Sequence, residues 1–484
     1  MSNGGKTKAG SAALWALGVA SVASLMVALD MLVVTTALST IRVHLGASAE
    51  QLQWTVNAYT LSFAVLLMTG AVLGDRFGRR RLFASGLGLF ALASAACALA
   101  PNISLLIAAR AVQGIGAALV MPLSLSLLSA AFAPERRAWA FGIFSGVTGL
   151  AVLGGPVLGG AITQGVAWQW IFWINVPIGL LTIPVVFSRV SESYGPRSAP
   201  DLIGLGLIAG ATLGLVWGLV RGNTAGWGSV EVVASLSAGL LLAIGFAAWE
   251  LRAQEPMLPL RLFSSRAFSA GNAAMFFLSG SLFGAVFFMA QFLQTAQHHG
   301  PLDAGLRLLP WTATLFVVAP LTGSAVGRVG ERPFAAAGLL LQGAGMGWIA
   351  LVAKPELAYW QLVAPLIIAG VGVSMAMPAL QNAVMTSVSD AHIGKASGTF
   401  NMLRQLGGVF GIAVLVAVFA GAGSYASPQA FSDGFVVALG ICAGLSLAGA
   451  LAAVALPGRP ATAAAMGAEP ANGSAGEAVG APAG

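Results

Sequence analysis

Charge is what this sequence has least of: Asp, Glu, Lys and Arg together make up 8% of its 484 residues. A soluble globular protein carries about a quarter of its residues as these four types, so a chain of this length could not cover a water-facing surface with them. Cysteine is scarcer still. Cys97 and Cys442 both lie in apolar stretches, which excludes a disulfide framework and leaves no metal-ligand spacing. Histidine occurs four times; the pair His298-His299 reads as part of a solvated loop, with no acidic or cysteine partner at ligand spacing. A phosphate-binding GxxxxGK[ST] motif is absent, which argues against drive by ATP. The net charge of +7 does not imply nucleic acid, because the basic residues come in short clusters between apolar runs and form no single face.

What is present is apolar: 57% of residues are hydrophobic, the mean hydropathy is +0.87, and 63 residues are glycine. Lipid is the solvent that tolerates such an exterior, and small residues let membrane helices approach closely. A spanning helix needs about 20 mostly apolar residues. Six such segments lie near 13–38, 51–73, 82–100, 103–130, 138–163 and 168–189. A pair follows near 202–221 and 229–250, then six more near 267–294, 303–327, 334–353, 359–386, 393–421 and 432–456. The reading is an all-α integral membrane protein of fourteen transmembrane helices. A short N-terminus (1–12) precedes a first bundle (13–190), an additional pair (201–250) and a second bundle (267–456). The tail, 457–484, is rich in Ala, Gly and Pro and is expected to be disordered.

Basic residues set orientation, since cytoplasmic loops carry the excess of Lys and Arg. With a cytoplasmic N-terminus, only Arg42, Arg221, Arg307 and Lys354 fall on the far side, and Arg110 and Arg404 fall inside helices. The other 17 of the 23 basic residues are then cytoplasmic, and so are both termini.

An internal repeat divides the chain. The stretch from Gly114 to Gly155 returns from Gly370 to Gly411 at a constant offset of 256, pairing Gly116 with Gly372, Pro122 with Pro378 and Thr148 with Arg404. A second echo sets Asp75-Arg-Phe-Gly-Arg-Arg80 beside Gly327-Arg-Val-Gly-Glu-Arg332. Two parallel halves enclosing a midplane site characterise secondary transporters.

Four groups of residues carry chemistry. A cytoplasmic loop, Leu73 to Arg81, concentrates Asp75, Arg76, Gly78, Arg79 and Arg80 in a tight turn; Asp75 can cap a helix and pair with a neighbouring arginine, forming a gating latch. Arg110 and Gln113 stand within the fourth span, where a central arginine costs about 2.5–3.5 kcal/mol and so faces a polar cavity or a carboxylate. Gly155, Pro156, Gly159 and Gly160 follow Ala151 in the fifth span; Ala151, Gly155 and Gly159 make one small-residue stripe, and Pro156 permits a kink. Asp30 is the one carboxylate deep inside an early span. Burial disfavours an ionised carboxyl and a nearby arginine favours it, which makes Asp30 the leading residue for proton coupling or cation recognition, with a helix-packing Asp satisfied by hydroxyls as the alternative.

In order and spacing these motifs resemble those of the major facilitator superfamily, over about Leu14 to Leu456. Further resemblance lies in Trp54-Thr-Val-Asn57-Ala-Tyr59, in Trp168 to Gly179, and in Asn401-Met-Leu-Arg404-Gln405-Leu-Gly407-Gly408. The segment around Asp30 resembles the first-helix motif of fourteen-span drug:proton antiporters, departing from it at Leu32, Thr35 and Ser39; the loop motif departs at Ala71, usually Gly. The resemblance implies a major facilitator fold, two six-helix bundles with two extra helices between them, and proton-coupled export of small hydrophobic compounds such as drugs or antibiotics. It implies no cofactor beyond a proton gradient, a bacterial plasma membrane, and action as a monomer. Asp30, Arg110, Gln113, Trp54, Asn57, Tyr59, Asn401 and Arg404 are the residues expected at the coupling site and substrate cavity. A cation-coupled importer shares the fold and stays open as an alternative. A membrane-embedded enzyme would need a nucleophile–base pair or metal cluster that the apolar segments do not display.

Overall fold

The computed structural model describes residues 3–195, 200–388 and 393–458; Arg197, Arg459 and the rest of the expected tail lie outside them. Among the described residues there is no strand; thirteen helices are long and apolar enough to cross a membrane, and a bent pair, Trp139–Val152 with Gly154–Gly165, makes fourteen when counted as one span. We number them α1 (Asn3–Leu45), α2 (Ala49–Phe77), α3 (Arg79–Ala98), α4 (Ile103–Ala131), α5 (Pro134–Gly165), α6 (Trp170–Arg189) and α7 (Leu202–Ala225). The others are α8 (Val230–Glu250), α9 (Arg266–Ala296), α10 (Pro301–Val326), α11 (Glu331–Val352), α12 (Trp360–Thr386), α13 (Ile393–Ala422) and α14 (Pro428–Val454).

Local chemistry explains several ends. Ser48 and Gln51 form a reciprocal capping box at the start of α2, and Asn102, Ser229, Ser265 and Ser427 each accept a hydrogen bond from the first turn of their helix. The bend in α5 is 44°, between Val152 and Gly154. Pro156 has no N–H to donate to the carbonyl four residues back, at Val152, so the kink falls where the sequence permits one. Pro310 similarly interrupts α10, whose helix stops at Arg307 and restarts at Leu309 and again at Thr314. Three expectations change. The first helix continues seven residues past 38, to Leu45, because no breaker intervenes before Gly46. Asp75 and Arg76 lie in the last turn of α2 and not in a loop; a single residue, Gly78 at φ 106°, separates α2 from α3. Its left-handed backbone suits glycine alone, and Gly330 at φ 99° makes the same one-residue junction before α11, since the helical turns of α10 run on past the apolar span to Val329. His299 is not simply solvated: its Nδ1 lies 2.8 Å from Asp303.

The sequence repeat is also a packing repeat. In the first half Gly114 meets the backbone of Tyr59 on α2, Gly116 meets Phe90 on α3, and Gly155 meets Leu32 on α1. In the second half Gly370 meets Trp311 on α10, Gly372 meets Gly338 and Gln342 on α11, and Gly411 meets Gly280 on α9. At each pair a methyl group would collide, so glycine is what permits the close approach. The extra pair α7 and α8 packs outside: Val216 and Val220 of α7 cluster with Val409 and Ala413 of α13, while Trp217 stacks near Trp54 of α2 at 5.9 Å. Large side chains such as Leu241, Leu351 and Leu451 stand exposed on the outer faces, as lipid contact requires.

Candidate functional site

A polar network lies inside the first bundle, where α1, α2, α3, α4 and α6 converge. Arg110 of α4 is 1% exposed and Asp30 of α1 is 2% exposed. Arg110 Nη1 donates to Asp30 Oδ2 at 2.5 Å and to Gln113 Oε1 at 2.8 Å, and its Nε donates to the Thr55 carbonyl at 3.2 Å. Asp30 Oδ1 accepts from Gln113 Nε2 at 2.8 Å and from Asn175 Nδ2 at 2.9 Å. Asn175 also donates to Ser94 Oγ at 3.0 Å, Ser94 donates to the Phe172 carbonyl at 2.8 Å, and the Cys97 thiol donates to Gln113 Oε1 at 3.6 Å. An ion pair this buried persists only when its remaining lone pairs and protons are also satisfied, and here neutral amides complete the shell. The guanidinium lies under the Tyr59 ring, 4.2 Å from its centroid.

Tyr59 is the wall between this network and a cavity of about 370 Å³. The cavity takes residues from both bundles, including Met31 and Met121 from the first and Phe283, Trp311, Met377 and Arg404 from the second. Its size and mainly apolar lining fit a small organic ligand. One end is closed by α5 against α10: Gly160 touches the main chain of Pro301 and Leu302, Gly305 touches that of Pro156, and Gln164 accepts from Leu302 N at 3.1 Å. The bundles also meet where α2 packs on α13: Gly398 touches Met68, and Ala64 clusters with Met402 and Leu406.

The residues expected at one coupling site and cavity therefore separate. Asp30, Arg110 and Gln113 come together behind Tyr59, which faces both network and cavity; Arg404 lines the cavity from α13. Trp54 turns outward to Trp217, Asn57 is buried in α2 without a hydrogen-bond partner among the described residues, and Asn401 donates to the Ser397 carbonyl of its own helix at 3.0 Å. None of these three lines the cavity, because successive positions on α2 and α13 rotate by 100° and face different neighbours. Asn175, Ser94, Thr148 and Gln405 had no assigned role; the signal they offered is a polar side chain in an otherwise apolar span. Gly155 and Gly159 seat α5 on Leu32, Val33 and Thr36 of α1, and Gly160 faces the opposite bundle.

The charged turn is held by its own half. Asp75 Oδ1 accepts from Arg79 Nε at 2.7 Å, and the Asp75 carbonyl accepts from Gly195 N at 3.1 Å. Glu192, beyond α6, accepts from the backbone N–H groups of Arg80 at 2.8 Å and Arg81 at 3.3 Å, capping α3 where its dipole favours an anion. Arg80 and Arg81 lie 3.8 and 3.7 Å from the same carboxylate. Arg76 lies 5.5 Å from the Phe77 ring centroid.

Two repeated helical bundles around a central cavity, with a buried ion pair beside it, define a membrane transporter for small molecules. The chain matches the Major Facilitator Superfamily over residues 20–412 and belongs to it. It is 36% identical over 447 residues to the cephamycin export protein CmcT of Amycolatopsis lactamdurans, covering 89% of this chain and 91% of that protein. It is 34% identical over 404 residues to the tetracenomycin C resistance and export protein of Streptomyces glaucescens, covering 83% and 74%. A solved peptide transporter in complex with sulfate superposes with a TM-score of 0.67 over 91% of this chain and 94% of that one, at 16% identity, which speaks for the fold alone.

Proposed function

We propose that this chain exports small, largely hydrophobic organic compounds across a bacterial plasma membrane, in exchange for protons, by alternating access. The relatives named for antibiotic export support the direction and the class of cargo. The observation that carries the coupling is the Asp30–Arg110 pair, sealed in the first bundle one tyrosine away from the cavity. An ionised Asp30 holds Arg110, Gln113 and Asn175 and so ties α1, α4 and α6 together. Protonation removes the charge that holds Arg110, releases the guanidinium beneath Tyr59, and passes the change to the cavity wall.

With both termini cytoplasmic, the end closed by α5 and α10 is the outer one, and a state closed there takes up cargo from inside. Cargo entry then accompanies proton release inward, and reorientation exposes Asp30 to the acid exterior. One charge crossing 100 mV contributes about 2.3 kcal/mol, enough to support a useful gradient. The protein works as a monomer on this reading, and Asp75 with Arg79 at the α2–α3 junction steadies the bundle as it rocks.

The test uses everted vesicles from expressing cells and a compound chosen by a drug-susceptibility panel that includes cephamycin and tetracenomycin C. An acid interior should drive accumulation of that compound, and an uncoupler should abolish it. Accumulation driven instead by an acid exterior would establish a proton-coupled importer and overturn export.

A further inference from the structure

The cavity contains a cation without a resident counter-charge. Arg404 projects from α13 into it, with Nε buried and unpaired among the described residues. Beside it, Gln405 has neither its Oε1 nor its Nε2 engaged, and Thr148, across the cavity on α5 at the repeat-equivalent position, has an unpartnered hydroxyl. Among the described residues that line the cavity, these three alone carry buried side-chain polar atoms without a hydrogen-bond partner. Asp30 cannot supply the missing charge, since its oxygens are taken by Arg110, Gln113 and Asn175 and it lies behind Tyr59. No other described acidic residue lines the cavity.

A guanidinium buried in a mainly apolar chamber is costly unless something neutralises it. Its planar fork matches a carboxylate with two parallel N–H donors, and a neutral hydroxyl and amide at hand add donors to the same group. The rest of the wall offers aromatic and thioether surface, from Phe283, Trp311, Met121 and Met377, for a flat apolar body. We infer that the cavity selects amphipathic organic acids, docking the anionic group on Arg404 with Gln405 and Thr148 and the apolar body against the aromatic and methionine wall. This rests on the export reading for the direction of transport, while the binding preference is a property of the cavity itself.

The test is equilibrium binding of radiolabelled 2-naphthoate, 2-naphthalenemethanol and 2-naphthylmethylammonium to the purified full chain in detergent at neutral pH. These probes share a ring system and differ in the charge of the appended group. Wild type should bind the acid at least ten-fold more tightly than the alcohol and the ammonium. Arg404→Gln should bring the acid to within two-fold of the alcohol, and Arg404→Lys should keep part of the preference. Should Arg404→Gln fail to fold, Gln405→Leu with Thr148→Val should still narrow the preference several-fold. Wild type binding all three alike, binding none, or preferring the ammonium would overturn the inference, as would a ten-fold preference surviving in Arg404→Gln. No gradient exists in detergent, so loss of the preference leaves proton-driven export to the vesicle assay, and a preference without gradient-driven uptake removes export but keeps the acid site.

Discussion

Replacing Asp30 by Asn should destabilise the protein more than replacing Asp30 and Arg110 together. Asp30 Oδ2 and Arg110 Nη1 are 2.5 Å apart, and the two side chains are 0% and 1% exposed. Asp30→Asn preserves the shape and strands the guanidinium, with the Thr55 carbonyl and Gln113 Oε1 as its remaining acceptors. Breaking a buried pair from one side costs about 3–5 kcal/mol, because the other charge stays buried without compensation. The double variant Asp30→Asn/Arg110→Gln buries no charge, and its amides can hydrogen-bond with Gln113 and Asn175. It loses one or two hydrogen bonds at about 1 kcal/mol each. Arg110→Gln alone strands the Asp30 carboxylate at a similar cost, so the cycle should give a coupling energy of about 4 kcal/mol or more. Reversible unfolding in mixed micelles by increasing mole fraction of dodecyl sulfate, followed by tryptophan fluorescence, measures all four corners. A single variant no less stable than the double would refute the argument that Asp30 chiefly compensates Arg110.

Gly160→Leu should prevent α5 from closing on α10, since any side chain there meets the main chain of Pro301 and Leu302. Transport should fall more than ten-fold, and a reporter thiol placed in the cavity by Thr312→Cys should become reactive to an impermeant maleimide added from the closed end; a reporter that stays unreactive would contradict this. At the α2–α3 junction, Glu192→Gln should cost under about 1 kcal/mol in the same unfolding assay, because its ion pairs are long and Arg81 is two-thirds exposed. Glu192→Ala removes the cap on the first turn of α3 and should cost about 1–2 kcal/mol; equal effects would show that capping is not its role. Cys97 and Cys442 are both 0% exposed, so a membrane-permeant maleimide should label neither in the folded protein and both after denaturation.

The fold was legible because its determinants are one-dimensional. Fourteen apolar runs, the charges between them and the aligned Gly114/Gly370 and Gly116/Gly372 pairs specify helices, repeat and close contacts without reference to distant residues. Asp30 and Arg110 stood out for the same reason, as charges where lipid excludes charge. The partition of the site was not legible. Trp54, Asn57 and Tyr59 are neighbours on one helix, yet Tyr59 alone reaches the cavity, because the rotation of α2 is set by what α4, α7 and α13 present to it. Asn175 was visible as an asparagine in an apolar span; that it reaches Asp30, 145 positions earlier, depends on how α6 packs against α1 and α3. Glu192 carried no signal, since a lone glutamate after a span looks like any solvated residue until α3 is seen to begin against it.

Proton coupling through Asp30 is tested most directly by reconstituting wild type and Asp30→Asn into proteoliposomes and comparing two modes of transport of one exported compound. Counterflow, the exchange of labelled for unlabelled compound without a gradient, needs the cavity and the rocking motion but no net proton movement. Accumulation driven by an imposed pH gradient needs all three. Asp30→Asn should retain counterflow and lose gradient-driven accumulation. Accumulation by Asp30→Asn at the wild-type rate would contradict the mechanism.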